Sequence, residues 1–115
     1  MNVTFVELPP FERYRQNYIP DDIYQRFQQE LLHFPEKGDL IQGTNGLRKI
    51  RIKLPNMKGK RAGGRIIYYY VTTRQKVLLI AGYNKNQKSD LTSAERRLLS
   101  NLVSEILELE NDLMN

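Results

Sequence analysis

The chain has 115 residues, 40% of them hydrophobic and 27% charged, with a net charge of +5, a single histidine (His33) and no cysteine. These values describe one ordinary folded domain over 1–115; they exclude disulfide, thiolate and cysteine–zinc chemistry, and no metal, cofactor or small-molecule cofactor site is expected. No apolar run approaches the roughly 20 residues of a membrane helix, and Glu7, Pro9 and Pro10 stand where a secretory signal would be apolar, so a cytoplasmic chain with no membrane partner is expected.

In chain order, Val3, Phe5 and Val6 predict a short strand over Asn2–Leu8 that Pro9 and Pro10 end. Phe11–Tyr18 reads as a short helix. Pro20, Asp21 and Asp22 mark a second helix start, where the acids complement the positive end of the helix dipole. Ile23, Phe27, Leu31 and Phe34 then share one helical face before Pro35 stops the helix. Three strands follow. In Arg48–Leu54, Ile50, Ile52 and Leu54 point one way and Lys49, Arg51 and Lys53 the other. Arg65–Val71 is β-branched and aromatic, and Lys76–Tyr83 encloses the apolar run Val77–Ile80 of a central strand. Short links make these three an antiparallel meander. Thr92-Ser93-Ala94-Glu95 is a capping box opening a long C-terminal helix. Its stripe is Leu98, Leu102, Ile106, Leu109 and Leu113, widened by Leu99, Val103 and Leu107. The stripe is core packing, or in part a docking face for a partner or a second copy. The expected class is α+β: a small, mostly antiparallel sheet with helices packed on one face, the other face carrying Lys49, Arg51 and Lys53.

Charge is distributed unevenly. Between Leu40 and Ser89 there is no acid, while twelve of the eighteen basic residues fall there: Arg48, Lys49, Arg51, Lys53, Lys58, Lys60, Arg61, Arg65, Arg74, Lys76, Lys85 and Lys88. Such an unmixed block repels itself and calls for an anionic partner, and the dense phosphates of nucleic acid fit it best. An anionic membrane fits less well, because the block is not one amphipathic helix. The glycines and lysines of Met57–Gly64 lack the order of a nucleotide-binding P-loop and open no helix, which rejects a nucleotide triphosphatase. They suit a basic loop that approaches a backbone closely, or an ordinary surface turn.

RNA can be cut without metal when a 2′-OH attacks the adjacent phosphorus, given a base, charge stabilisation on the phosphorane and an acid for the leaving oxygen. Histidine usually serves, but His33 is alone among apolar neighbours and reads as structural or surface. Lysine crowded by other cations can transfer protons, whereas arginine stays charged and stabilises phosphate. A plain phosphate contact is the alternative for each of these residues. In Tyr68-Tyr69-Tyr70, alternation sets Tyr69 opposite the other two; an exposed tyrosine there stacks on an unpaired base or, if buried, belongs to the core.

The run GLRKIRIKLPNMKGKRAGGRIIYYYV from Gly46 to Val71 resembles the RelE/ParE superfamily of toxins, closest to its HigB-like branch. The Phe-Glu-Arg-Tyr-Arg run at Phe11–Arg15, the Tyr83–Leu91 run and the order of elements match that branch too. The resemblance implies a ribosome-dependent endoribonuclease that cuts messenger RNA in the decoding site and is blocked by a cognate antitoxin. Carried over by motif, its catalytic positions are Lys49, Arg51, Arg65 and Lys85. Arg48, Lys53, Lys58, Lys60, Arg61, Tyr69 and Lys88 are the RNA-binding candidates. Where the best-known members carry an arginine after the fourth strand and a tyrosine near the last helix, Asn86 and Thr92 fall in this chain. A gyrase-inhibiting toxin of the ParE kind and a non-catalytic RNA-binding module are the alternatives, since fold alone does not choose among them.

Overall fold

The central strands carry apolar side chains on both sides, and that decides the architecture. A computed structural model describes residues 3–55 and 63–114, with side chains as far as position 109. The elements are β1 (Thr4–Glu7), α1 (Pro9–Tyr18), α2 (Asp21–His33), β2 (Asp39–Leu40), β3 (Arg48–Ile52), β4 (Gly64–Val71), a 3₁₀ turn (Thr72–Arg74), β5 (Lys76–Asn84) and α3 (Ser93–Met114). They form one five-stranded sheet in the order β1-β5-β4-β3-β2. β3, β4 and β5 are the expected antiparallel meander, and β1 joins β5 in parallel.

Each boundary has a local cause. Pro9 and Pro10 end β1 and also open α1, because the missing proline N–H costs nothing in a helix's first turn. Asp21 and Asp22 occupy the first turn of α2. The capping box opens α3 reciprocally: the Glu95 N–H donates to Thr92 Oγ1 at 3.1 Å, and the Thr92 N–H donates to Glu95 Oε1 at 2.9 Å.

The α+β class, the mostly antiparallel sheet and the long C-terminal helix are as expected. The placement of the helices on a single face is not. α1 and α2 bury Phe11, Tyr14, Tyr24, Phe27 and Leu31 against Ile50, Ile66, Tyr68, Val77 and Leu79. α3 lies on the other face, where Val103, Leu99 and Ile106 pack with Ile67, Leu78 and Ile80. Leu78 and Ile80 need cover as much as Val77 and Leu79 do, since exposing such a side chain forfeits about 1.5–3 kcal/mol. A register shift between Ile67 and Tyr68 in the β4–β5 ladder puts Ile80 and Ala81 both on the α3 side.

Two tyrosines tie the helical layer to the sheet. Tyr68 is fully buried; its hydroxyl donates to the Pro35 carbonyl and accepts from the Gly38 N–H, both at 2.8 Å, which fixes the turn after α2. Tyr14 on α1 lies over Gly64 and Gly82, where a Cβ would come within 1.8 Å of its hydroxyl and 2.2 Å of its ring. Only glycine allows so close an approach.

Candidate nucleic-acid interface

The strand registers build the site. Arg51 stands directly opposite Arg65 across β3–β4, and Arg65 directly opposite Tyr83 across β4–β5. Three neighbouring strands therefore present Arg51, Arg65 and Tyr83 as one row on the face that also holds α3. Lys49 lies two residues along β3, on the same side and opposite Ile67. Arg51 is exposed, whereas Lys49 and Arg65 are half-buried. Arg51, Lys53 and Arg65 make no ion pair among the described residues.

The turn after β5 brings further cations. The buried Asn84 anchors it: Tyr14 donates its hydroxyl hydrogen to Asn84 Oδ1 at 2.7 Å, and the Asn84 carbonyl accepts the N–H groups of Gln87 and Lys88, both at 3.1 Å. The Lys85 N–H donates to the Gly63 carbonyl at 3.1 Å, which keeps Lys85 beside the start of β4 and so beside Arg65. The Lys85 ammonium bonds the Ser89 carbonyl, and that of Lys88 pairs with Glu95. The Lys88 ammonium also lies 6.0 Å from the centre of the Tyr83 ring.

Asp90 is the hub on the acidic side. Its carboxylate accepts from Lys49 Nζ at 3.1 Å, from Arg96 Nη2 at 3.2 Å and from the Leu91 N–H at 2.8 Å. Burial raises its pKa, but the Leu91 N–H, Lys49 and Arg96 outweigh that and hold it below the ordinary aspartate value. Glu95 is likewise held low, first by Lys88 and then by the Thr92 N–H. The Tyr83 hydroxyl is raised by burial and by nearby Asp90, against the pull of Arg65. Its oxygen is buried yet outside hydrogen-bonding geometry with any partner among the described residues.

The four expected catalytic positions thus fall into one region: Lys49, Arg51 and Arg65 share the face, and Lys85 follows the strand end beside them. Lys53 is exposed just past β3 and Lys88 flanks Tyr83. Tyr69 is on the α3 side, half-buried against the core. Arg48 is elsewhere. It shares the α1–α2 side with its partner Tyr68, and its guanidinium holds the carbonyls of Glu36 at 2.9 Å and Gly38 at 2.7 Å. Lys58, Lys60 and Arg61 lie outside the described residues. His33 is exposed at the end of α2, its Nδ1 2.8 Å from the Gln29 carbonyl, away from the basic face. No cluster of three His, Asp or Glu side chains able to hold a metal occurs among the described residues, and no helix among them is long and apolar enough to cross a membrane.

Tyr83, Asp90 and Arg96 were not among the expected site residues. Asp90 had a signal: it is the first acid after the acid-free stretch. Tyr83 stands at the head of one of the matching runs, but its place beside Arg65 depends on the β4–β5 register.

No protein-family model matches the chain. Solved structures do match. The E. coli RelE toxin in the free state, studied as a double arginine-to-alanine mutant, is 13% identical with a TM-score of 0.55, over 77% of this chain and 90% of that one. The isolated E. coli RelE toxin is 13% identical with a TM-score of 0.54, over 91% and 99%. The intact E. coli RelBE toxin–antitoxin complex matches at 13% identity and a TM-score of 0.52, over 70% and 94%. The chain therefore has the RelE fold.

Proposed function

We propose that this RelE-fold chain is the toxin of a toxin–antitoxin pair, in the HigB-like branch of the RelE/ParE superfamily, and that it acts in the cytoplasm as a metal-independent, ribosome-dependent endoribonuclease on messenger RNA. The observation that carries this reading is the convergence of Lys49, Arg51, Arg65 and Lys85 beside one sheet face. The fold shared with RelE, and the crystallised RelBE complex, support a cognate antitoxin as partner.

The chemistry follows from the residue types. The 2′-oxygen bonds to phosphorus, the bond from phosphorus to the 5′-oxygen breaks, and a cyclic phosphate and a 5′-hydroxyl result. Arg51 and Arg65 remain charged and stabilise the negative charge gathering on the phosphorane. Lys49 and Lys85 are the candidate proton-transfer groups. Lysines are poor acids and bases near neutral pH, so the ribosome contributes by holding the 2′-OH in line with the phosphorus, an effect worth several kcal/mol of barrier.

The test is primer extension on a defined message, with and without ribosomes, using the wild type, Lys49→Ala and Lys85→Ala. Cleavage by the wild type on ribosomes alone is expected, with both variants strongly impaired. Efficient cutting of naked RNA overturns the ribosome dependence. Absence of cutting in both conditions, together with inhibition of DNA supercoiling by gyrase, replaces this reading with the gyrase-inhibiting one.

A further inference from the structure

β2 is too short to cover β3. It pairs only with Arg48 and Lys49, so past Lys49 the outer edge of β3 has no strand beside it among the described residues. The Ile41 N–H donates to the Leu47 carbonyl at 2.8 Å, which fixes the backbone groups that point outward. They are those of Leu47 and, by alternation, of Lys49, Arg51 and Lys53. An open edge of this kind is a template for another strand.

The edge borders an open cleft of about 450 Å³ between α2 and β3. Ile23 and Phe27 on α2 and Ile50 and Ile52 on β3 form its apolar wall. The two sides of the edge differ in charge. On the α2 side the cations are spent locally, Arg26 on Asp22 at 3.1 Å and Lys37 on Glu30 at 2.6 Å. On the basic face Arg51 and Lys53 make no ion pair among the described residues. Side chains directly opposite one another on paired strands share a face. An added strand therefore sets every second side chain beside Arg51 and Lys53, and the others over Ile50, Ile52 and Ile23. The chain's own β2 follows this pattern where it does cover β3: Asp39 stands opposite Lys49, and the apolar Leu40 stands opposite Arg48 on the other side. A second copy of this chain does not fit, because two β3 edges laid together set cations directly against cations.

We infer that the open edge of β3 docks an extended segment of a partner protein in which acidic and apolar residues alternate, the acids beside Arg51 and Lys53 and the apolar side chains against the α2 cleft. The inference concerns a protein partner and holds whether or not the chain cleaves RNA.

The probe is a synthetic peptide, Glu-Val-Glu-Val-Glu-Val, titrated into the full chain and followed by NMR. Its control is an isomer of the same composition with the glutamates and valines in separate blocks. The alternating peptide should bind and slow the exchange of the Arg51 and Lys53 amide hydrogens, and the isomer should bind about tenfold more weakly or worse. Lys53→Glu, which reverses a charge at the edge, and Ile23→Ser, which removes part of the apolar wall, should each weaken the alternating peptide by about tenfold. Arg97→Glu changes the net charge as much as Lys53→Glu does, but Arg97 is exposed on α3 outside the cleft. It should weaken binding by less than about twofold. If Ile23→Ser fails to fold, the comparison of Lys53→Glu with Arg97→Glu decides. Absence of binding overturns the inference. Equal binding of the two peptides, or equal losses from Lys53→Glu and Arg97→Glu, reduces the effect to net charge and also overturns it. A wild-type dimer in sedimentation equilibrium that Ile23→Ser dissociates assigns the edge to a second copy instead.

Discussion

Lys49 and Asp90, separated by forty-one positions in the chain, meet at 3.1 Å and join the middle of β3 to the segment that leads into α3. The same carboxylate holds Arg96. One acid therefore links the strand that carries the basic face to the helix that packs on it, and restrains a lysine of that face.

Asp90→Asn should have two opposite effects. Asp90 is held below the ordinary aspartate pKa, so its contribution to stability is present above the unfolded value and is lost as pH falls through the folded one. Thermal unfolding should show the variant less stable than wild type at pH 7, the gap closing as the pH drops below the ordinary aspartate range. The carboxylate is 44% exposed, so the loss is small. RNA binding should move the other way: with Lys49 released to a phosphate, affinity at low salt rises and the salt slope steepens by about 0.7. A variant that binds RNA no better than wild type would show that Lys49 does not reach the RNA.

Tyr14→Phe should weaken activity from the far side of the sheet. The Tyr14 hydroxyl holds Asn84 Oδ1, and the Asn84 carbonyl organises the turn that carries Lys85 and Lys88. Removing the hydroxyl leaves a buried amide oxygen without that donor, at a cost of about 1–3 kcal/mol. A lower thermal midpoint and a severalfold slower cleavage are expected together. A slower rate at an unchanged midpoint would mean that Tyr14 acts on the RNA and not through Asn84.

Features governed by local rules were legible in the sequence. The capping box at Thr92, the helical spacing of Phe27 and Leu31, and the alternation of Lys49 and Arg51 with Ile50 and Ile52 each depend on neighbours a few residues away. The fold class followed from their order. The two-residue β2 was not legible, because Asp39 and Leu40 are both exposed and carry no alternation. The two-sided cover of the sheet was half-legible: the apolar run Val77–Ile80 marked a central strand, and a strand buried on both faces requires a layer on each. Arg48 entered the RNA surface through a charge count, which is blind to the alternation that turns it away from Lys49. The row Arg51–Arg65–Tyr83 and the Lys49–Asp90 pair are set by register and by chain return, and neither leaves a mark at short range.

Binding to single-stranded RNA should weaken steeply with salt, because phosphate contacts release counterions. With Arg51, Lys53, Arg65, Lys85 and Lys88 each neutralising one phosphate, the slope of log affinity against log salt is about −3.5, or roughly a hundredfold loss between 50 and 200 mM. Fluorescence anisotropy over that range measures it. A flat response would remove electrostatics as the basis of recognition, whatever the chemistry.

Arg65→Ala should abolish growth inhibition and leave the protein folded. Arg65 is half-buried in the middle of the row, with Arg51 on one side and Tyr83 on the other. Its only hydrogen bond among the described residues is to the carbonyl of Gly64, at 3.1 Å. No ion pair among the described residues is therefore lost with the guanidinium, and the circular dichroism spectrum and thermal midpoint should stay close to wild type. What is lost is a fixed positive charge beside the phosphate, typically a factor of about 10² or more in rate. Lys53→Ala is the matched control. That lysine is exposed just beyond β3 and also carries one charge, but it stands outside the row. It should lower the salt slope by about 0.7 with little effect on the saturating rate. If Arg65→Ala and Lys53→Ala impair growth inhibition equally, Arg65 is one phosphate contact among several and not the centre of the reaction.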